Sequence, residues 1–282
     1  MKFVVTGHKG FIGTHLFKAL QDQGHNVVGI DSKEGRDIRT VEPDLLEGAD
    51  GVFHFAALPR VPLSIEKPAE THDTNVNGTL HMLLCARDAG VKRFVYSSSS
   101  SVYGHQDTLP LHEGMKPNPL SPYAFQKLAG EYYSKIFSSL YGLETVSLRY
   151  FNVYGEGMST EGSYAPAVAR FLKFAKAEEV LPVYGGDQTR DFTFVGDVVR
   201  ANISAMTSEN VGRGEIINIG GGQNYSILEI AKAISSNIKI QEARKGEPLN
   251  TRADISRAKE LLDWEPQVNL LEWLEKQRGS LT

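Results

Sequence analysis

A single cysteine, Cys85, stands in the whole chain, so it can build neither an internal disulfide framework nor a cysteine-rich metal site. An excess of positive charge is also missing. The 30 Lys and Arg are set against 34 Asp and Glu, interspersed to a net charge of −4, which leaves no footprint for nucleic acid or an anionic membrane surface. Any anion must therefore be held locally, by particular side chains. No apolar run approaches the ~18 residues of a membrane span, and Met1-Lys2-Phe3-Val4-Val5 runs into Gly7 with no room for a signal peptide. A soluble, cytoplasmic protein is expected. Repeats are absent, and the only low-complexity tract is Ser97-Ser98-Ser99-Ser100-Ser101. With 282 residues, 41% of them hydrophobic, the chain can bury one large core and a smaller lobe.

What is present begins with a strand, a turn and a helix. Phe3-Val4-Val5-Thr6 is a short apolar run ending at Gly7, and 11–23 has helical spacing with Phe11, Ile12, Leu16, Ala19 and Leu20 on one face. The turn between them reads Gly7-His8-Lys9-Gly10-Phe11-Ile12-Gly13. Gly7 suits a tight turn, Gly10 a close approach of backbone to a pyrophosphate, and Gly13 close packing of helix on strand. The helix N-terminus offers free N–H groups and a positive dipole end to phosphates. A second strand, 27–31, ends at Asp31, whose carboxylate can accept ribose hydroxyls and would repel a 2′-phosphate. That favours NAD over NADP, although Lys33 and Arg36 lie close by.

Further strands are expected at Asp37-Ile38 (stunted, bordering an adenine), 51–57, 91–96 and 144–149. Helices are expected at 64–68, 71–89 and 121–140. The serine run follows the 91–96 strand at its carboxyl end, where ligands of open parallel sheets bind. After Gly155 the strict alternation of strand and helix stops, apart from an apolar helix at 165–177. The expected fold is α/β, a Rossmann-type doubly wound parallel sheet with a smaller C-terminal substrate lobe. Residues 1–155 form the dinucleotide domain, joined by about 190–220, and 156–282 form most of the lobe.

In the middle of the chain, Ser121-Pro122-Tyr123-Ala124-Phe125-Gln126-Lys127 places a Tyr and a Lys four apart. On a helix they share a face, one turn from each other. An ammonium within ~4–6 Å favours the tyrosinate, lowering a phenol pKa from its ordinary ~10 toward the range useful for proton transfer.

In order along the chain, several segments carry a resemblance: 6–13, 53–57, 74–79, 97–104, 121–127, 148–155, 188–192 and Ala253-Asp254. Together they resemble the extended short-chain dehydrogenase/reductases, specifically the nucleotide-sugar 4-epimerases, over nearly the whole chain. The resemblance implies Tyr123 as catalytic acid/base and Lys127 as the residue that binds the nicotinamide ribose and lowers the Tyr123 pKa. Ser99 would hydrogen-bond the reacting sugar hydroxyl, with Ser101 beside it. Gly7, Gly10, Phe11, Ile12, Asp31, Asp37, Ile38, Ala56 and Asn75 would form the cofactor shell, and Asn152, Arg190 and Arg244 would hold the substrate diphosphate. Two arginines also suit that anion by charge and fork geometry.

The implied reaction is inversion of C4 of a UDP-hexose with NAD neither consumed nor released. Thr251 falls where a bulky Tyr accompanies glucose-only epimerases, so a small Thr implies that UDP-GlcNAc and UDP-GalNAc are accepted beside UDP-glucose and UDP-galactose. Arg60 sits where many members carry a small residue and could meet a carboxylate, which keeps UDP-glucuronate open. The related 4,6-dehydratases carry an Asp-Glu pair where this chain has Ser100 and Ser101, and the UDP-glucuronate decarboxylases a Glu at Ser101. A non-catalytic dinucleotide sensor is the alternative from another class, but such proteins typically lack the Tyr or the Lys. A homodimer through a four-helix bundle is implied as well, with Leu80, Leu83, Leu84, Leu128 and Phe137 on the apolar faces. No metal is expected.

Overall fold

A computed structural model describes residues 1–160, 166–242 and 250–279. Its centre is a parallel six-stranded sheet in the order β10-β5-β4-β3-β1-β2. The strands are β1 (Lys2–Thr6), β2 (Asn26–Ile30), β3 (Gly51–His54), β4 (Arg93–Ser99), β5 (Glu144–Tyr150) and β10 (Arg213–Ile219). Alternate side chains of a strand point to opposite faces, and the chain uses both. Phe3, Val5, Phe53, Val146 and Leu148 face α1 (Phe11–Asp22) and α7 (Val195–Thr207), whereas Val4, Val52, Phe94 and Tyr96 face α4 (Gly78–Asp88) and α5 (Pro122–Tyr141). A sheet covered on both faces reads in sequence as continuous apolar runs, which is why its strands could be located.

Between β3 and β4 lie α2 (Val61–Glu66), α3 (Pro68–His72) and a π-helical turn, Asp73–Asn77, that runs into α4. The expected helices at 64–68 and 71–89 thus begin earlier, with Pro62 and Pro68 in their first turns.

No strand forms at Asp37-Ile38. Asp31 caps a short 3-10 turn, Ser32–Glu34, the Asp37 carboxylate pairs with Arg39, and Ile38 is 4% exposed, its side chain against Gly78. Two residues flanked by charges are too few to add an edge to the sheet, and the single apolar one is drawn into the core instead.

After β5 the chain builds β6 (Val153–Tyr154), α6 (Ala167–Lys176), β7 (Leu181–Tyr184), β8 (Thr189–Asp191) and β9 (Thr193–Phe194). Beyond β10 come β11 (Asn224–Ser226), α8 (Ile227–Ile234), β12 (Ile238–Gln241), α9 (Ser256–Leu262) and α10 (Leu270–Gly279). A separate apolar cluster joins α6, α8 and α10 around Phe171, Val183, Ile230 and Leu274. The strands here pair in twos, with β11 antiparallel to β8, β12 parallel to β7 and β6 parallel to β9. None of the described helices is long and apolar enough to cross a membrane.

Of the side chains expected on a bundle face, Leu83 and Phe137 lie in the core and Leu80 and Leu84 pack against it. Helix periodicity alone cannot say which apolar stripe meets the sheet. A different stripe of α5 is exposed: Phe125 at 54%, Tyr132 at 59%, Ile136 at 42% and Leu140 at 71%.

Candidate active site

Ser121 starts α5 by accepting a hydrogen bond from the Ala124 N–H, and Pro122 occupies the first turn. Tyr123, Lys127 and Glu131 follow at one-turn intervals along the buried face, against the carboxyl end of β4. The Tyr123 N–H donates to Ser64 Oγ on α2 at 3.0 Å, which ties the start of α5 to the helix that follows β3.

Ser99 ends β4 beside the Tyr123 phenol, near enough to lower its pKa. The Ser99 Oγ accepts from the Ser101 N–H at 3.2 Å and from the Ser101 hydroxyl at 2.9 Å. The Lys127 ammonium donates to the Ser97 carbonyl at 2.8 Å and lies 5.1 Å from the centre of the Tyr96 ring.

Burial reverses one expectation from the sequence. It pushes the Tyr123 phenol up to about 12, with the neighbouring Ser99 pulling the other way, instead of leaving it depressed by the lysine. The same burial brings Lys127 down to about 8, opposed by the nearby Glu131 carboxylate. Desolvation penalises whichever form is charged, and here it outweighs the attraction between partners.

The Glu131 carboxylate anchors this end of the helix. Arg149 grips it in a fork, Nε at 2.8 Å and Nη2 at 2.7 Å, with both side chains 1% exposed, and the Ser98 hydroxyl donates to the same carboxylate. Arg149 also stacks 4.6 Å from the Tyr103 ring, and the Tyr103 hydroxyl donates to Asn218 Oδ1 at 2.7 Å. Sequence reading passed over Glu131 and Arg149, although a Glu one turn beyond the Lys was a visible signal.

At the same carboxyl edge of the sheet, two strands from β4, the glycine turn that follows β1 is closed by its own backbone. The Gly10 N–H donates to the Gly7 carbonyl at 2.9 Å, and a Cβ on Gly13 would come within 2.2 Å of that same oxygen. Gly7 has φ +71°, and a Cβ there would meet the Ala56 nitrogen at 2.7 Å. Gly10 caps α1 without a side-chain hydrogen bond, and the first turn carries no acid. Phe11 and Ile12, half-buried, open the helix. A backbone-only surface at an uncapped helix N-terminus fits an anionic diphosphate.

The Asp31 carboxylate faces that turn, accepting from the N–H groups of Lys9 and Lys33 at 3.0 Å each. Each oxygen retains a second acceptor direction for a ribose hydroxyl.

Three residues expected in the cofactor shell have side chains engaged within the protein. The Asn75 amide is 1% exposed and bonded to both backbone groups of Leu58 and to Gln126, so it shapes the 56–59 loop from below. The side chains of Asp37 and Ile38 are engaged by Arg39 and by the core, as described above.

Beneath the turn lies His54, missed in the sequence because an apolar strand hides it. Thr79 donates to the Asn75 carbonyl and so accepts from His54 Nε2 at 3.0 Å, which leaves Nδ1 to accept from the Thr6 hydroxyl at 2.9 Å. Burial holds this ring neutral, bringing its pKa down to about 3.

The expected substrate residues converge on β8. Asn152, with φ +23°, donates through Nδ2 to the Asp191 carbonyl at 2.6 Å; Arg190 precedes Asp191; and Thr251 Oγ1 accepts from the Asp191 N–H at 3.3 Å. Arg244 lies outside the described residues. Arg60 is exposed and caps α2 one turn before Ser64. Two clefts, of about 480 and 180 Å³, flank the loop at 221–223, and neither is lined by Tyr123, Ser99 or Lys127. No group of metal-ligating side chains occurs among the described residues.

The model of the NAD dependent epimerase/dehydratase family matches residues 3–220. A UDP-glucose 4-epimerase of Mycolicibacterium smegmatis is 35% identical, covering 98% of this chain and 97% of its own. A UDP-glucuronate 4-epimerase of Thermodesulfobacterium geofontis is 33% identical, over 97% of this chain and 94% of its own. Among solved structures, a UDP-N-acetylglucosamine 4-epimerase from Methanobrevibacter ruminantium, in complex with UDP-N-acetylmuramic acid, superposes with a TM-score of 0.92. It is 31% identical and covers 99% of this chain and 96% of its own.

Proposed function

The chain belongs to the NAD-dependent epimerase/dehydratase family and is a UDP-glucose 4-epimerase-like enzyme with NAD as cofactor, and from that premise we propose that it inverts C4 of a UDP-hexose through a 4-keto sugar. The observation that carries this reading is the buried Tyr123 beside Ser99, one helix turn from the buried Lys127, at the carboxyl end of β4. Gly7, Gly10, Phe11, Ile12 and Asp31 would hold NAD, with Ala56 at the wall of the turn and Lys127 toward the nicotinamide ribose. When bound, NAD supplies the acceptor and then the donor of the C4 hydride, so redox is internal.

Tyr123 takes the proton of the sugar 4-hydroxyl, relayed by Ser99, and returns it to the carbonyl oxygen after the sugar has turned over. Ser101 keeps Ser99 aimed. Asn152 and Arg190, with Arg244, would hold the diphosphate and leave the hexose free to rotate. The dinucleotide half is 1–155 with about 190–220, and the substrate lobe is the rest.

The half-buried Thr251, bonded to β8, supports acceptance of the acetamido sugars. Exposed Arg60, one turn before the serine that binds α5, supports a second reading, UDP-glucuronate. A panel of UDP-galactose, UDP-GalNAc and UDP-glucuronate, followed by NMR, separates these. Turnover of both neutral sugars is expected; UDP-galactose turnover without UDP-GalNAc turnover would overturn the role given to Thr251. A glucuronate rate that Arg60→Ala abolishes selectively would establish the second reading.

The exposed stripe of α5 would be buried in a homodimer. Light scattering is expected to show a wild-type dimer and a Tyr132→Arg monomer; a monomeric wild type sinks the dimer.

A further inference from the structure

The second glycine run of the chain, Gly220-Gly221-Gly222, follows β10 and resembles a phosphate cradle in sequence. In the fold it is filled by the protein itself. Asp191, at the end of β8 and fully buried, points its carboxylate into the run. Oδ1 accepts from the Gly221 N–H at 2.6 Å, and Oδ2 accepts from Gly222 at 3.1 Å and from Ala253 at 2.9 Å.

The loop has no room for a side chain, since a Cβ on Gly221 would lie 2.5 Å from the Phe192 carbonyl and 3.2 Å from the carboxylate. One carboxyl group therefore fastens three segments, β8, the 220–222 loop and the 251–253 strip, through hydrogen bonds from backbone N–H groups. Its main chain does the same work from the other side, because its carbonyl receives Asn152 Nδ2 and its N–H reaches Thr251 Oγ1. Strand alternation sends the neighbouring Arg190 to the opposite face of β8. Asn152, Arg190 and Thr251 thus either touch Asp191 or adjoin it.

We propose that Asp191 is a positioning residue for the nucleotide-diphosphate part of the substrate, holding Asn152 and Arg190 in register, with Thr251 beside them, without touching the ligand. The proposal rests on the UDP-sugar reading above. It separates binding from chemistry, because Asp191 contacts none of Tyr123, Ser99 and Lys127.

The test compares Asp191→Asn with wild type. The amide keeps the shape but presents N–H donors to backbone N–H groups, so the loop loses acceptors. A rise in KM of about tenfold or more is expected, with the dissociation constant for UDP moving in parallel by calorimetry. The kcat is expected to stay within about threefold and NAD to remain bound. Amide exchange at Gly221, Gly222 and Ala253 should quicken.

Should that variant fail to fold, Gly221→Ala displaces the loop while sparing the carboxylate, and the same split is expected. An unchanged KM with UDP bound as tightly as in wild type overturns the proposal, as does a fall in kcat with KM unmoved. Wild type that binds no UDP contradicts the substrate reading instead, and the exchange rates then decide by themselves whether Asp191 holds the loop.

Discussion

Tyr123→Phe is expected to lower the rate of C4 epimerisation by about 10²-fold or more while NAD stays bound. The ring fills a slot that leaves it 9% exposed, so the Phe variant should pack as the Tyr does. What disappears is the hydroxyl that lies beside Ser99. Burial pushes that phenol up to about 12, and proton uptake from the sugar hydroxyl works against that shift. Acting as a base requires a cation nearby, and the Lys127 ammonium is one turn away on the same helix face. The check is initial rates with UDP-galactose, together with absorbance or mass measurement of retained NAD. Near-normal turnover would remove Tyr123 from the chemistry.

The second large effect is expected at Glu131. Removing one partner of a buried, fork-bonded ion pair leaves the other charge without compensation, at about 3–5 kcal/mol. Glu131→Gln strands Arg149 in a site where both side chains are 1% exposed. A melting temperature lower by roughly 10 °C is expected, read by calorimetry.

The same substitution has a pH signature. Lys127 is held at about 8 by burial, and Glu131 is the charge that raises it. With the carboxylate gone and the guanidinium left, the ammonium loses its proton at lower pH. The alkaline limb of kcat/KM should therefore move toward neutrality. A loss of stability without movement of that limb would confine Glu131 to a structural role.

Much of this arrangement was legible in the sequence because it rests on punctuation and period. The turn at 7–13 lies between a short apolar run and a helical one, and the serines follow an apolar strand, so the carboxyl ends of the sheet could be located before any coordinates. The helix with Tyr123 and Lys127 was expected at 121–140, and α5 runs over Pro122–Tyr141.

Partners and burial were not legible. Asn75 has the residue type of a ligand contact, yet its amide is consumed by Leu58 and Gln126. Four-residue spacing put Lys127 near Tyr123 but carried no measure of desolvation, and the sign of the phenol shift followed desolvation. Asp37 and Ile38 were placed by an ion pair to Arg39 and a space over Gly78, both set by tertiary packing. Asp191 stood in a visible motif, but its partners lie about 30 and 62 residues away along the chain.

The central claim, internal redox at C4, is tested most directly with wild-type protein and no added cofactor, using UDP-galactose deuterated at C4 and NMR of the products. The expected result is UDP-glucose with the deuterium still on C4 and none taken up from solvent. Loss of the label from C4, or a 4-keto-6-deoxy sugar as the only product, would contradict it.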